Sequence, residues 1–217
     1  MEHIVQEVTV LILPIIFAIT LHEAAHGYVA RHFGDATAYL QGRVSLNPIR
    51  HIDPFGTVIL PLGMLILSSV TGGGAFLFGW AKPVPVNFGN LRNPKRDMLW
   101  VALAGPAMNL LMALLWAAFL KGQLAFGMTE PFFQDMADAG IKINLIIMLL
   151  NLVPILPLDG GRIVVSLLPP RLAWRFSQLE PYGMVILLVL LFSTVLTNVL
   201  APFISISYYA IRMLFNI

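Results

Sequence analysis

Two histidines four residues apart, with a glutamate beside the first, give the chain its first chemical signal: His22-Glu23-Ala24-Ala25-His26. On a helix, residues at this spacing share one face. Two imidazoles so placed can bind one zinc ion, and the glutamate can act as general base on the water that zinc activates. A catalytic zinc takes three protein ligands and keeps one position open. The candidate for the third is Asp159, the one other Asp or Glu inside an apolar stretch. It lies between Pro154 and Pro157 on one side and Gly160, Gly161 and Arg162 on the other. A plainer reading pairs Asp159 with Arg162 near an interface and takes the histidines as structural. Ionisable side chains in apolar surroundings are costly, however, and usually mark a functional path.

The elements that must carry these residues are unusually apolar. Hydrophobic residues make up 58% of the 217, and charged residues 11%, where a soluble domain has roughly 25% charged. That excludes a water-soluble monomer and a disordered chain. A net charge of +2 does not point to a nucleic-acid partner, and with no cysteine there is no disulfide, thiol nucleophile or thiolate-bound metal. Uncharged runs at 54–81, 98–120 and 181–211 each exceed the ~20 residues of a membrane-crossing helix. The N-terminus lacks a basic leader region, so a cleaved signal peptide is not expected. The fold class is an all-α polytopic membrane protein of about four to six transmembrane helices, in one domain over 1–217. Its core would cover about 4–168, with C-terminal helices at about 182–217.

Charge counting chooses the topology. If 54–81 crosses once, the Lys and Arg residues before 200 divide seven against five between the two faces. If it dips in and returns, ten share one face, and only Lys121 and Lys142 lie opposite. The second division is the stronger positive-inside bias. Pro54, Pro61, Gly63 and the Gly72–Gly74 run also break any long helix there. The expected order is therefore helix 1 near Ile4–Arg31, a re-entrant hairpin, and an extended segment at Phe76–Phe88. Helix 2 (about Met98–Leu120), helix 3 (about Ile141–Leu168, disturbed by its prolines) and helix 4 (about Tyr182–Leu200) follow. Phe203–Phe215 reads as a short return or an interfacial helix. Helices 1 and 3 then run the same way, which puts His22, His26 and Asp159 at similar depth.

Several motifs in this order resemble one family. The HEAAH of helix 1, the later Asn-x-x-Pro and Leu-Asp-Gly stretch, Ala104-Gly105-Pro106-Ala107-Met108-Asn109 and Gly79–Asn87 (GWAKPVPVN) look like the site-2 protease family of intramembrane zinc metalloproteases (peptidase family M50). They look like its compact form, with no room for a PDZ module. The second proline, Pro157 just before Leu158, departs from the pattern. The resemblance implies one Zn2+ per chain on His22, His26 and Asp159, Glu23 as base, and Asn151 holding the substrate or the developing oxyanion. It implies cleavage of membrane-protein substrates in or near their transmembrane segments. The expected setting is the lipid bilayer of a prokaryotic plasma (inner) membrane, with the site toward the cytoplasmic side. The extended segment would offer an edge for strand addition. Asn109 reads as a helix–helix contact or a support for a ligand, and His51 as a local partner of Asp53. Rival readings are an inactive scaffold for membrane segments and a metal-ion transporter; neither uses Glu23.

Overall fold

The computed structural model describes residues 2–59, 63, 81–128 and 130–217; most of the expected re-entrant hairpin, and Phe76–Trp80 of the extended segment, lie outside these. Among the described residues the fold is all-helical, with no strand. Helix α1 (Glu2–His32) is followed by a single turn, α2 (Thr37–Leu40). Two long helices come next, α3 (Pro94–Ala125) and α4 (Pro131–Asn151). Then come α5 (Asp159–Leu167), α6 (Pro170–Ser177), α7 (Glu180–Phe192) and α8 (Val195–Phe215).

Sequence explains the helix ends. Pro94, Pro131 and Pro170 each occupy a first helical position, where the missing N–H costs nothing. Helix α3 stops in a glycine cap: Gly127 has φ +68°, its N–H donates to Leu124 O, and Met128 N donates to Gln123 O. Residues 152–158, with two prolines, separate α4 from α5. The expected continuous helix 3 is therefore two helices, and the first begins at Pro131 rather than near Ile141.

The C-terminal part corrects the sequence reading more strongly. The expected helix 4 is interrupted at Thr194, a non-glycine residue with φ +60°. The expected short return at 203–215 is the second half of α8, a helix of 21 residues. Among the described residues, length and composition make three helices (within α1, α3 and α8) able to cross a membrane, or four if α6 and α7, bent by 63°, form one span. The chain is an integral membrane protein. Its outward-facing Leu11, Ile12, Phe17, Val189 and Phe203 are exposed, as lipid-facing side chains are.

α1, α3 and α4 pack on one another, each against the other two. At one end Val10, Trp116, Met136, Ile141 and Ile211 share a buried cluster; at the other Ala30, Leu91, Met98 and Val101 share a second. Met148 and Leu152, late in α4, lie beside Tyr28, Phe33 and Trp100 at that second end, so α1 and α4 run in the same direction and α3 against them. Phe33 O accepts from Arg92 N at 3.0 Å. The chain leaves α1 and enters α3 at the same end of the bundle, the arrangement that the charge count favours.

Candidate metal centre

The HEAAH segment lies in the C-terminal half of α1, where the helical period turns both histidines toward α3. What lets them approach is Gly105. A Cβ there would run into His22 Nε2, His22 Cε1 and His26 Nε2. The small residue of the Ala104–Asn109 stretch thus gives up its volume to two imidazoles.

Each imidazole is anchored through Nδ1. His26 Nδ1 lies 2.7 Å from Val101 O, and His22 Nδ1 lies 2.6 Å from Asn109 Oδ1. A carbonyl oxygen only accepts, so His26 carries its proton on Nδ1. Asn109 Nδ2 donates to Ala18 O (3.2 Å) and to Asn144 Oδ1 (3.0 Å), which leaves its Oδ1 facing His22 as an acceptor. Asn144 Nδ2 in turn donates to Gly140 O at 2.8 Å. A hydrogen-bond relay from α4 through α3 to α1 therefore sets the tautomer of His22. Both Nε2 atoms are left with lone pairs.

Those lone pairs converge with a carboxylate. Asp159 is the first residue of α5, and Gly160 and Gly161 let the backbone of 152–156 press against the helix start; a Cβ on either would collide with it. Arg162 does not take the carboxylate, because its Nη2 lies 3.9 Å from Glu180 Oε1. Asp159 Oδ2 instead stands 3.2 Å from His22 Nε2 and 3.3 Å from His26 Nε2, and the two Nε2 atoms are 3.1 Å apart. All three residues are at most 9% exposed, and Oδ2 has no conventional hydrogen-bond partner. Ligands about 2.0–2.1 Å from a tetrahedral zinc stand ~3.3 Å apart. The triangle has that size, and two imidazoles with one carboxylate are an accepted donor set for zinc. The residues fit a zinc ion.

Glu23, next to His22 in the chain, is held by the segment at 81–87. Its half-buried carboxylate accepts from Val84 N at 2.8 Å through Oε2. Residues 81–87 contain no helix or strand, and Pro83 and Pro85 have no N–H, so the amide offered by 83–85 is Val84's alone. The segment is tied at both ends. Lys82 N donates to His51 O (2.8 Å), and Asn87 N donates to Asp35 Oδ2 (2.6 Å). Asp35 is fully buried and also accepts from Thr37 N, Thr37 Oγ1 and Asn90 Nδ2. Burial works to raise its pKa, but these donors outweigh it and hold the carboxyl below its ordinary value.

Other expectations are placed differently. Asn151, at the end of α4, donates Nδ2 to Ile147 O of its own helix at 3.0 Å. His51 Nε2 donates to Ser45 O at 2.8 Å, while Asp53 accepts from Phe55 N and Gly56 N, so the two are not a pair. Asn109 bonds across three helices, to His22 and Ala18 of α1 and to Asn144 of α4. Asn144 was missed. The signal was there, an amide in the apolar run from Ile143 to Leu150, but its partner could not be read from spacing.

The chain matches peptidase family M50 over residues 10–140. It is 38% identical over 215 residues, 95% of this chain and 90% of the other, to the Bacillus subtilis protein named "Putative zinc metalloprotease YwhC". It is 31% identical over 191 residues to the Mycolicibacterium smegmatis "Putative zinc metalloprotease Rip2", covering 84% of this chain and 66% of that one; the Mycobacterium tuberculosis protein of the same name is 28% identical over 185 residues. No solved structure matches the chain. With a His-His-Asp triangle of zinc size buried between apolar helices, and a family match across more than half its length, the chain belongs to peptidase family M50 and is a membrane metalloprotease.

Proposed function

We propose that the chain hydrolyses peptide bonds in or near the transmembrane segments of membrane-protein substrates, with His22, His26 and Asp159 as the zinc ligands and Glu23 as general base. The observation that carries the reading is the triangle of His22 Nε2, His26 Nε2 and Asp159 Oδ2, with edges of 3.1 to 3.3 Å. Zinc held there supplies a Lewis acid for water and for the scissile carbonyl.

The chain's own residues do the rest. The Val84 amide occupies Glu23 Oε2 and leaves Oε1 to take a proton from the attacking water and pass it to the departing amine. The Asn109–Asn144 relay keeps the Nε2 lone pair of His22 in place. One hydrogen of Asn151 Nδ2 serves Ile147 O; the other is free to hold a substrate carbonyl. The site lies at the end of the bundle where Arg31, Arg92, Lys95 and Arg96 gather. That supports a position toward the cytoplasmic face of a prokaryotic plasma membrane.

The test is zinc per chain in detergent-purified protein, beside a His22→Ala/His26→Ala double variant, with cleavage followed in Glu23→Gln. Near one zinc in the parent, none in the double variant, and retained zinc without cleavage in Glu23→Gln are expected. Cleavage that survives in Glu23→Gln sinks the base assignment. Ion flux without cleavage would make the protein a transporter instead.

A further inference from the structure

A groove of about 700 Å³ opens on the outside of the bundle, between the end of α1 and the end of α4, with α3 as its floor. Tyr28 and Phe33, Leu103 and Leu110, and Met148 and Leu152 line it in pairs from the three helices, and its surface is almost wholly apolar. It is not the metal centre. Gly105 and Asn109 face the histidines, whereas the groove uses Leu103, Ala107 and Leu110 on another side of α3.

One end of the groove is basic. His32 and Trp100 line it, and both are exposed. Arg96 precedes Trp100 by four residues, so it lies one helical turn closer to the membrane surface on the same face. Arg92 is joined through its backbone to Phe33, which lines the groove. Arg92 and Arg96 are exposed, and among the described residues neither forms an ion pair. The acids nearest in sequence are committed: Asp97 accepts from Asn93 N at 2.7 Å, and Asp35 from its four donors. The start of α3 adds the positive end of its dipole to these charges.

An apolar channel that ends in unpaired cations at the depth of a tryptophan has the chemistry of a phospholipid: hydrocarbon along the channel, phosphate at its mouth. We propose that the groove is a binding site for an anionic phospholipid, with an acyl chain along Leu103, Ala107 and Leu110 and the headgroup at Arg92, Arg96 and His32. Charge complementarity selects the occupant, since a zwitterionic lipid, whose phosphate is balanced by its own cation, or an uncharged substrate helix would gain less from two exposed guanidinium groups.

Trp100 is its own reporter. The full-length protein, with Trp80 and Trp174 replaced by Phe, is reconstituted into phosphatidylcholine vesicles carrying increasing brominated phosphatidylglycerol or brominated phosphatidylcholine. Bromine quenches a tryptophan it touches, and the buried Trp116 is the only other indole left. At about fivefold per basic side chain near the surface, the anionic lipid should quench at a mole fraction roughly tenfold or more below the neutral one. The preference should fall with added salt. Arg92→Glu/Arg96→Glu should abolish it, and the milder Arg96→Gln should weaken it with zinc content unchanged. Ala107→Phe should reduce quenching by both lipids by filling the channel. Equal quenching by the two lipids, or a preference that survives charge reversal, overturns the proposal. Neither readout uses protease activity, so the proposal fails or stands independently of the catalytic reading.

Discussion

At the scale of single residues, the proposed zinc triangle depends on groups outside it. Asn144 orients Asn109, and Asn109 fixes the proton of His22. Replacing Asn144 with Leu leaves Asn109 free to turn its amide, and zinc affinity should fall roughly 10–100-fold, the usual cost of losing an outer partner. Competition with a chromogenic chelator measures this, and unchanged affinity would reduce Asn144 to a helix contact. Gly105→Ala should cost more, because the new methyl group occupies the space of both imidazoles; the check is zinc stoichiometry in folded protein. HEAAH was legible because a period of 3.6 residues puts two histidines on one face whatever the fold. Asp159 was legible because an acid in an apolar run is expensive. The Asn144–Asn109 relay was not legible. It joins α4 to α3, and the packing of one helix on the other has no trace in spacing along either.

Among the elements, segment 81–87 has the most to explain. An extended chain offers amides alternately to its two sides, and here Lys82 and Val84 point theirs at His51 O and Glu23. The side that would serve an added strand has Pro83 and Pro85 in place of two donors. This stretch is therefore a poor template for an incoming substrate strand and a good clamp for Glu23. Val84→Pro removes the amide; kcat should drop by about ten- to a hundredfold, as for a lost hydrogen bond to a charged group, with KM little changed. Val84→Ala keeps the amide and should behave like the parent. A Val84→Ala protein as impaired as Val84→Pro would mean that the segment acts through something other than the Val84 amide. Asp35 anchors the same segment. Its carboxyl is held below the ordinary ~3.9, so its stabilisation is present above that value and is lost as pH falls through the lowered one. Asp35→Asn should lower stability by about 1–3 kcal/mol at neutral pH, and the gap should close below about pH 4. Melting curves of both proteins across that range would show it; a gap that widens in acid would reverse the sign.

For the whole molecule, the basic end and the paired direction of α1 and α4 make a prediction about sidedness. Because the parent has no cysteine, single cysteines report cleanly. Cysteines replacing Arg43 and Arg171 should be labelled by an impermeant maleimide from one side of the membrane, and a cysteine replacing Lys121 from the other. Labelling of all three from one side would overturn the arrangement. The C-terminal helices were the least legible part at this scale. Charge and length gave a single helix 4, but Thr194 takes a backbone conformation that only glycine would have announced. The polar start of α4 likewise hid a helix, because Asp138 finds Tyr208 Oη at 2.5 Å, Arg212 Nη1 at 3.3 Å and Lys142 Nζ at 2.6 Å. Those partners lie mostly in another element, so no local reading could have supplied them.

The hydrogen bond between Phe33 and Arg92 has an engineering consequence. Where the chain departs and returns at one point, the excursion between is a cassette: its contents can change without inverting any helix beyond it. Residues 37–81 could be exchanged with the corresponding stretch of a relative, provided Asp35 keeps its donors and the Val84 amide keeps Glu23. Whatever that stretch contributes to selecting what the enzyme cuts would then be transferred as one piece, while the cutting machinery stayed where it was.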